Sequence, residues 1–180
     1  MSEPANRHTS TAAVVTGGAQ GVGHSIATRL VAEGCRRLVL AGRDAEKGAR
    51  AAEGFAAQGV TVRFVPLDLQ DVDACLALID TAVAELGEVN ALVNAAALGA
   101  RGTLTDTSPE LFDQMFATNV RGPFFLMQGF VRHRQARGGG GSIVNILSQC
   151  AHCGQSDLAP YSASKGALAT LTKNAANAYR

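Results

Sequence analysis

The stretch TGGAQGVG, from Thr16 to Gly23, follows the apolar run of residues 12–16 and precedes a segment with helical spacing. A glycine-rich turn between a strand and a helix lets backbone N–H groups approach a phosphate, because glycine has no Cβ atom to block the approach. The positive end of the following helix adds a favourable potential for an anion. The stretch therefore predicts a phosphate-binding turn, with a plain tight strand–helix turn as the open alternative.

Two other motifs share part of this pattern. Gly18 to Ser25 has the spacing of a P-loop, but His24 occupies the position of the lysine that contacts the β- and γ-phosphates. A nucleotide triphosphatase is therefore disfavoured, although it stays open. Ser25 lies too far into the helix to be the nucleophile of a strand–turn–helix elbow, which excludes a hydrolase of that type.

Short aliphatic or β-branched runs alternate along the chain with segments of helical periodicity at residues 25–32, 45–57 and 74–86. Continuous apolar strands separated by helices are typical of a parallel sheet covered on both faces. The pattern predicts an α/β fold, a doubly wound Rossmann-like parallel sheet, as one domain over residues 1–180 with a flexible tail at residues 1–10. The predicted strands are residues 12–16, 37–41, 60–66, 91–93 and 142–147.

Glycine and capping residues mark the ends of the predicted helices. Gly34, Gly59 and Gly87 each precede a predicted strand, which favours a left-handed residue that ends a helix. Ser108 followed by Pro109 has the pattern of an N-cap with proline at the first helical position.

Composition excludes several classes of protein. Apolar residues make up 47% of the 180 residues, which excludes a disordered chain, and 16 basic against 15 acidic side chains give a formal charge of +1. A protein held to nucleic acid or to an anionic membrane by charge is normally far more basic. The first ten residues contain no apolar signal-peptide core, and no apolar run reaches the length of a membrane span. With four cysteines and no disulfide framework, we expect a cytoplasmic protein without nucleic-acid or membrane partners.

The end of the second predicted strand, Ala41-Gly42-Arg43, bears on cofactor choice. Dinucleotide sites that select NAD usually carry a carboxylate near this point for the ribose 2′-OH, and Gly42 offers none. Arg43 has the donors to bind a 2′-phosphate, or it is a solvated surface arginine. The sequence therefore favours NADP over NAD.

Tyr161 and Lys165 are spaced four residues apart in the segment YSASK, so on a helix they share one face. A free tyrosine has a pKa of about 10, so acid–base work near neutrality needs about 4 kcal/mol of phenolate stabilisation. A cation about 4 Å away supplies about that amount at an effective dielectric constant of about 20. Ser148 follows the fifth predicted strand, at the sheet edge where ligands bind. We therefore expect the glycine turn, the serine and the tyrosine–lysine pair at one edge, with an exposed helix of unrelated polar residues as the alternative.

Together these motifs resemble the short-chain dehydrogenase/reductase family over residues 12–180. Asp68-Leu69 is similar to the segment after the third strand where the family holds adenine. Asn94 opens an NAAA stretch that is similar to the family's NNAG, and Asn119, in NVRG, matches its helix asparagine.

Two departures accompany the resemblance. Ala95 and Ala97 replace the second asparagine and the glycine of NNAG, and Ala97 is expected to weaken cofactor binding modestly. The chain ends at Arg180, inside the helix that carries the tyrosine–lysine pair, whereas family members continue into further strands and a substrate loop. We therefore expect a truncated or partial chain whose fifth strand is an exposed sheet edge and which lacks the substrate lid.

The resemblance implies hydride exchange between NADP, or NAD, and a small-molecule carbonyl or alcohol, in a homo-oligomer with no metal. Tyr161 would exchange a proton with the substrate oxygen, Ser148 would hold that oxygen, Lys165 would favour the phenolate and bind the nicotinamide ribose, and Asn119 would support a chain of waters to solvent. The alternative is a truncated, catalytically silent dinucleotide-binding protein. The implied catalytic residues are Asn119, Ser148, Tyr161 and Lys165. The implied cofactor-binding residues are Gly17, Gly21, Val22, Gly23, Arg43, Asp68, Leu69, Asn94, Tyr161 and Lys165.

The segment CAHC, from Cys150 to Cys153, has the spacing of a redox or metal site. Only His152 lies near enough in sequence to be a further metal ligand, so we interpret the segment as loop packing. Its position beside Ser148 predicts that alkylation of these thiols inhibits the enzyme.

Overall fold

The predicted apolar runs form one five-stranded sheet, with helices on both of its faces. The computed structural model describes residues 6–179. The strands are β1 (Ala12–Thr16), β2 (Arg37–Gly42), β3 (Thr61–Pro66), β4 (Ala91–Asn94) and β5 (Ser142–Asn145). The α-helices are α1 (Gly21–Ala32), α2 (Ala45–Ala56), α3 (Val72–Leu86), α4 (Pro109–Phe116), α5 (Gly122–Arg137) and α6 (Ala159–Ala178).

All strand pairs are parallel, and the strand order is β3-β2-β1-β4-β5. This order confirms the predicted doubly wound Rossmann-like sheet. Thr16 at the end of β1 is level with Ala41 on β2 and with Asn94 on β4. The chain order reverses beside β1, and such a switch point opens a crevice at the carboxyl edge of a parallel sheet. The fold therefore places a binding crevice next to the glycine turn.

Two apolar cores lie on opposite faces of the sheet, because alternate residues of a strand point to opposite sides. Ala12 and Val14 of β1 pack with α3 and α5 on one face, and Ala13 and Val15 pack with α1 and α2 on the other. Every residue of β1 is buried, as a central parallel strand requires. Each large aliphatic side chain buried in this way contributes about 1.5–3 kcal/mol to stability.

The predicted helix ends are confirmed at the backbone. Gly34, Gly59 and Gly87 have φ angles of 101°, 76° and 78°, a left-handed conformation that side chains disfavour. Ser108 accepts a hydrogen bond from the N–H of Leu111 at 3.2 Å, and Pro109 is the first residue of α4.

Some element boundaries differ from the prediction. Helix α1 begins at Gly21 rather than at residue 25, because the last three residues of the glycine motif belong to its first turn. Strand β5 ends at Asn145 rather than at residue 147, where its pairing with β4 ends. The carbonyl of Ile146 then accepts a hydrogen bond from the Lys165 side chain.

Helices α4 and α5 form one helical rod that is interrupted by a π-helical turn at Ala117–Arg121. The sequence pattern did not predict this turn. A π turn inserts one residue into the helical repeat and is frequent at functional sites. Here it includes Asn119, one of the implied catalytic residues.

The structure describes only part of the segment at residues 1–10, and the flexibility predicted for it stays a prediction. Residues 1–5 lie outside the described residues. The guanidinium of Arg7 donates two hydrogen bonds to the Glu33 carboxylate, at 2.9 and 2.6 Å, and the His8 N–H donates to the Glu33 carbonyl at 2.9 Å. These contacts tie the described part of the segment to the end of α1, because a buried carboxylate needs cationic partners.

Strand β5 forms the edge of the sheet, as expected. Within residues 6–179 no strand pairs with its outer side, and the Val144 side chain is 48% exposed. A groove of about 700 Å³ lies between β5, α5 and α6. Over the same described residues, no helix is both long enough and apolar enough to cross a membrane.

Candidate active site

The glycine turn forms a bare backbone surface at the carboxyl end of β1. Gly17 has a φ angle of +68° and donates its N–H to the Ala41 carbonyl at 2.7 Å. A Cβ atom on Gly17 would lie 3.0 Å from the Cα of Ala96, and one on Gly23 would lie 2.4 Å from the Gly17 oxygen. These positions therefore require glycine, and the resulting turn leaves backbone exposed to a ligand.

The amino end of α1 lacks a side-chain cap of the kind found on α2, α3 and α4. Asp44, Asp71 and Ser108 cap α2, α3 and α4 by accepting backbone hydrogen bonds. At α1, the N-cap residue Gln20 makes no side-chain capping bond, and the first turn has no acidic residue. The first N–H groups of α1 therefore keep their capacity to bind an anion, which matches the predicted phosphate-binding turn.

A cleft of about 650 Å³ extends from the glycine turn across the ends of β2, β3 and β4. Most of the implied cofactor-binding residues line it: Gly17, Gly21, Val22, Gly23, Arg43, Asp68 and Leu69. Asn94, Tyr161 and Lys165 do not belong to this lining. The cleft also includes Lys47, Phe64 and Thr118, which the motifs did not identify because no fixed sequence signal marks them.

Arg43 and Lys47 are two cations at the end of the cleft beside β2. The Lys47 ammonium lies 3.0 Å from the Asp44 carboxylate. Arg43 is exposed and makes no hydrogen bond or ion pair with the other described residues. The guanidinium of Arg43 is therefore available for an anionic ligand.

Asp68 and Leu69 shape the side of the cleft that follows β3. Asp68 is exposed, and its carboxylate accepts a hydrogen bond from the N–H of Gln70 at 2.9 Å. Leu69 is buried in the core between the sheet, α3 and α5. The Asp68 carboxylate therefore stabilises the turn after β3 by its hydrogen bond, and Leu69 holds the turn against the core.

Asn94 and Thr16 organise the loop that follows β4. The Thr16 hydroxyl accepts hydrogen bonds from the N–H groups of Ala95 and Ala96, at 3.1 and 3.2 Å. Asn94 is 2% exposed and donates its amide to the Asn145 side chain at 2.8 Å. Its Oδ1 atom is buried and has no hydrogen-bond partner among residues 6–179. Since a buried unpaired acceptor costs about 1–3 kcal/mol, this atom is a candidate to accept a bond from a ligand or a water.

Lys165 is buried on α6 beside the exit of β5. Its side chain is 3% exposed, and its ammonium donates to the Ile146 carbonyl at 2.7 Å. Burial lowers the pKa of Lys165 from its ordinary value. The ammonium lies 5.9 Å from the centre of the Tyr161 ring, so the two side chains share one helix face, as the spacing predicts.

Ser148 lies between Ile146 and the 3₁₀ turn Gln149–Ala151. Its hydroxyl oxygen accepts a hydrogen bond from the Cys150 N–H at 3.2 Å, which leaves the hydroxyl proton free to donate. No hydrogen bond joins Ser148 to Tyr161 within the described part of the chain.

Asn119 joins three segments from the π turn. Its amide group donates to the Leu98 carbonyl at 2.9 Å and to the Ser164 hydroxyl at 3.0 Å, and its Oδ1 accepts from the Leu98 N–H at 2.8 Å. Ser164 donates in turn to the Tyr161 carbonyl at 2.7 Å. Through these bonds the Asn119 side chain positions α6 relative to the loop after β4. The chain of waters implied by the resemblance stays a prediction.

Ser164 is a site residue that the motifs did not identify. It is buried next to Lys165, and it connects α6 to the π turn through Asn119. Ser164 follows Tyr161 by three residues, so both lie near the same face of α6, and this spacing is the sequence feature that could have identified it.

The sequence profile described as short chain dehydrogenase matches residues 11–180. The chain belongs to the short-chain dehydrogenase family. Gluconate 5-dehydrogenase of Gluconobacter oxydans is 36% identical over 91% of this chain and 63% of its own length. The NADP-dependent (R)-specific alcohol dehydrogenase of Lentilactobacillus kefiri is 35% identical over 91% of this chain and 64% of its own length.

A solved structure of another short-chain dehydrogenase, from Burkholderia phymatum in complex with NAD, superposes with a TM-score of 0.87. It is 30% identical and matches 97% of this chain and 60% of the other. The chain therefore spans about 60–64% of the length of these members of the family.

Proposed function

We propose that this protein is an NADP-preferring oxidoreductase that exchanges a hydride with a small-molecule carbonyl or alcohol. The observation that carries the proposal is the buried ammonium of Lys165, 5.9 Å from the Tyr161 ring and beside the exit of β5. This pair lies at the carboxyl edge of the sheet, where the glycine turn also opens, and ligands of doubly wound sheets bind at that edge.

Three features of the cleft support a bound nicotinamide dinucleotide: the bare glycine turn, the uncapped amino end of α1 and the exposed Arg43. The turn and the helix end would hold the pyrophosphate, and Arg43 would bind a 2′-phosphate. The names of the similar proteins include both NADP and NAD, and Arg43 favours NADP here. When bound, the nicotinamide supplies or accepts the hydride.

The side chains of Tyr161 and Ser148 would carry the proton chemistry. In the reducing direction, Tyr161 Oη donates a proton to the carbonyl oxygen of the substrate, and in the oxidising direction it accepts the alcohol proton. The free hydroxyl proton of Ser148 donates a hydrogen bond to the same oxygen and stabilises the charge that develops there.

Lys165 places its ammonium group beside this acid–base residue, 5.9 Å from the centre of the Tyr161 ring. The hydrogen bond to the Ile146 carbonyl fixes the ammonium, so the interaction needs little reorganisation during the reaction. Asn119 and Ser164 hold α6 in register with the loop after β4.

The exposed aromatic side chains of Phe112 and Phe124, on α4 and α5, support assembly with further copies of the chain. We propose a homo-oligomer on this ground, and analytical ultracentrifugation tests it. A monomer at micromolar concentration would contradict this part of the proposal.

Replacement of Tyr161 by phenylalanine tests the catalytic assignment. Tyr161→Phe should lower kcat by about 10²–10⁴-fold, because the substrate oxygen loses its proton donor. NADPH affinity, measured by fluorescence titration, should change less than about 3-fold, because the variant keeps the aromatic ring. The protein has one other tyrosine, Tyr179, which is 58% exposed at the end of α6. Tyr179→Phe is the matched control and should keep full turnover.

Two outcomes contradict the proposal. Turnover that survives in Tyr161→Phe would remove this residue from the mechanism. NADPH binding without turnover of any carbonyl or alcohol by the unmodified protein would support the alternative of a catalytically silent dinucleotide-binding protein.

A further inference from the structure

Two thiols lie immediately after Ser148 and have no part in the proposed proton chemistry. Cys150 belongs to the 3₁₀ turn Gln149–Ala151 and is half-buried, and Cys153 follows that turn and is exposed. Both are free cysteines in the reduced protein. The pair therefore combines an accessible thiol with a second thiol inside the segment that holds the serine.

The backbone of this segment turns between the two cysteines. The Ala151 N–H donates to the Ser148 carbonyl at 3.0 Å, and the His152 N–H donates to the Gln149 carbonyl at 2.9 Å. These two bonds turn the chain back on itself directly before Cys153, which follows Cys150 by three residues. Disulfides span Cα separations of about 4.4–6.8 Å.

The Cys153 thiol already folds back over the turn. Its sulfur lies 3.4 Å from the Gln149 carbonyl oxygen, on the residue next to Cys150. The Cys153 sulfur therefore lies over the turn that carries Cys150, and neither cysteine belongs to a strand or a long helix.

We propose that Cys150 and Cys153 form a reversible disulfide that inactivates the site, with a low-molecular-weight disulfide such as glutathione disulfide as oxidant. The Cys153 thiolate attacks one glutathione sulfur, forms a mixed disulfide and releases one glutathione thiolate. The Cys150 thiolate then attacks the Cys153 sulfur and releases the second glutathione. Both cysteines are oxidised, glutathione disulfide is reduced to two glutathione molecules, and the two thiol protons go to them or to solvent.

The bond acts on the serine through the backbone of Cys150. The Cys150 N–H is the donor that holds the Ser148 hydroxyl, at 3.2 Å. Joining the sulfurs tightens the turn and withdraws this N–H. The turn also lies against α6, because a Cβ atom on Gly166 would be 3.8 Å from the Ala151 carbonyl oxygen. Gly166 directly follows Lys165, so the change reaches both catalytic segments. This loss of activity rests on the proposed function.

The remaining cysteines serve as internal controls. Cys35 and Cys75 are fully buried. Burial raises the pKa of the Cys75 thiol to about 11 and also raises the pKa of Cys35. Because the thiolate is the reactive form, neither residue competes for the oxidant at neutral pH.

Peptide mass tests disulfide formation directly. No lysine or arginine lies between Arg137 and Lys165, so trypsin releases residues 138–165 as one peptide that contains both thiols. After treatment of the full protein with glutathione disulfide, this peptide should lose two hydrogen atoms, and dithiothreitol should restore them. Cys153→Ser should show no such loss. A peptide that stays reduced, or that carries glutathione on each cysteine, would overturn the proposal.

Activity measurements test the consequence. Oxidation should lower NADPH-dependent carbonyl reduction at least about 10-fold, and NADPH binding should be retained because the glycine turn lies on another strand. Cys153→Ser should keep its basal activity and resist the oxidant, whereas Cys35→Ser should respond like the unmodified protein. Full activity of the disulfide form would overturn inactivation. A reduced protein with no turnover contradicts the proposed function instead, and the peptide mass still decides whether the disulfide forms.

Discussion

At the scale of single residues, two of the cations at the carboxyl edge of the sheet lie in opposite surroundings. Arg43 is exposed and makes no bond to the other described residues, whereas Lys165 is buried and bonded to the main chain. An exposed arginine stays hydrated and mobile until it binds an anion, so its effect is measured as a gain in the affinity for that anion. A buried lysine loses its hydration when the protein folds, and its effect is a fixed electrostatic field at the neighbouring Tyr161 ring.

Arg43→Ala should change cofactor preference. A charge-assisted hydrogen bond to a phosphate contributes about 1.5–3 kcal/mol, so NADPH affinity should fall about 10- to 100-fold. NADH lacks the 2′-phosphate, and its affinity should change less than about 3-fold. Fluorescence titration with both cofactors measures the two constants.

Arg50→Ala is the control for this substitution. Arg50 lies on α2, is exposed and pairs with Glu46 at 3.8 Å, outside the cleft. It should leave both affinities unchanged. Equal losses of NADPH and NADH affinity in Arg43→Ala would contradict a 2′-phosphate contact.

At the scale of elements, the π turn Ala117–Arg121 determines how α6 lies against the loop after β4. Asn119 points its amide at both partners because the turn changes the helical repeat at this residue. The proposed catalytic pair on α6, Tyr161 and Lys165, therefore depends for its position on a distortion in a different helix.

Asn119→Ala should destabilise the protein by about 2–4 kcal/mol, because it leaves the Leu98 N–H and carbonyl without their partner in a buried site. Urea denaturation followed by circular dichroism measures this change. Asn174→Ala, at an exposed position of α6, is the matched control and should change stability by less than about 0.5 kcal/mol. Equal stability of the two variants would show that the buried contacts of Asn119 contribute nothing.

The strands and the glycine-terminated helices could be predicted from sequence, because apolar periodicity and left-handed glycines are local signals. The end of β5 and the π turn could not, because the Lys165 bond to Ile146 and the Asn119 bonds to Leu98 and Ser164 join residues distant in sequence. For the candidate site, the motifs named the residues but not their partners. The orphaned Oδ1 of Asn94 and the donor to Ser148 depend on tertiary geometry.

At the scale of the whole molecule, the carboxyl edge of the sheet holds the candidate site, and the opposite edge holds a buried charge cluster. Glu33 is 3% exposed after α1, and its carboxylate binds the guanidinium groups of Arg7 and Arg29. The hydrogen bond from Arg7, followed by that from Arg29, lowers the pKa of Glu33 against the opposing effect of burial. The cluster joins the start of the chain to the first helix.

Glu33→Gln should reduce the acid sensitivity of the protein. A carboxylate with a lowered pKa in the folded state stabilises the fold fully above its unfolded value of about 4.5, and this contribution is lost as pH falls through the folded pKa. Thermal melting between pH 7 and pH 3 should show a shallower fall of Tm for Glu33→Gln than for the unmodified protein. Glu53→Gln, at an exposed position of α2, should keep the original slope. Parallel curves for all three proteins would exclude Glu33 as a source of the acid response.

The bond between the Lys165 ammonium and the Ile146 carbonyl joins the proposed acid–base site to the border of the sheet. Ile146 directly follows the last residue of β5, whose outer side pairs with no other strand among residues 6–179. The proposed acid–base site therefore borders the free edge of the sheet.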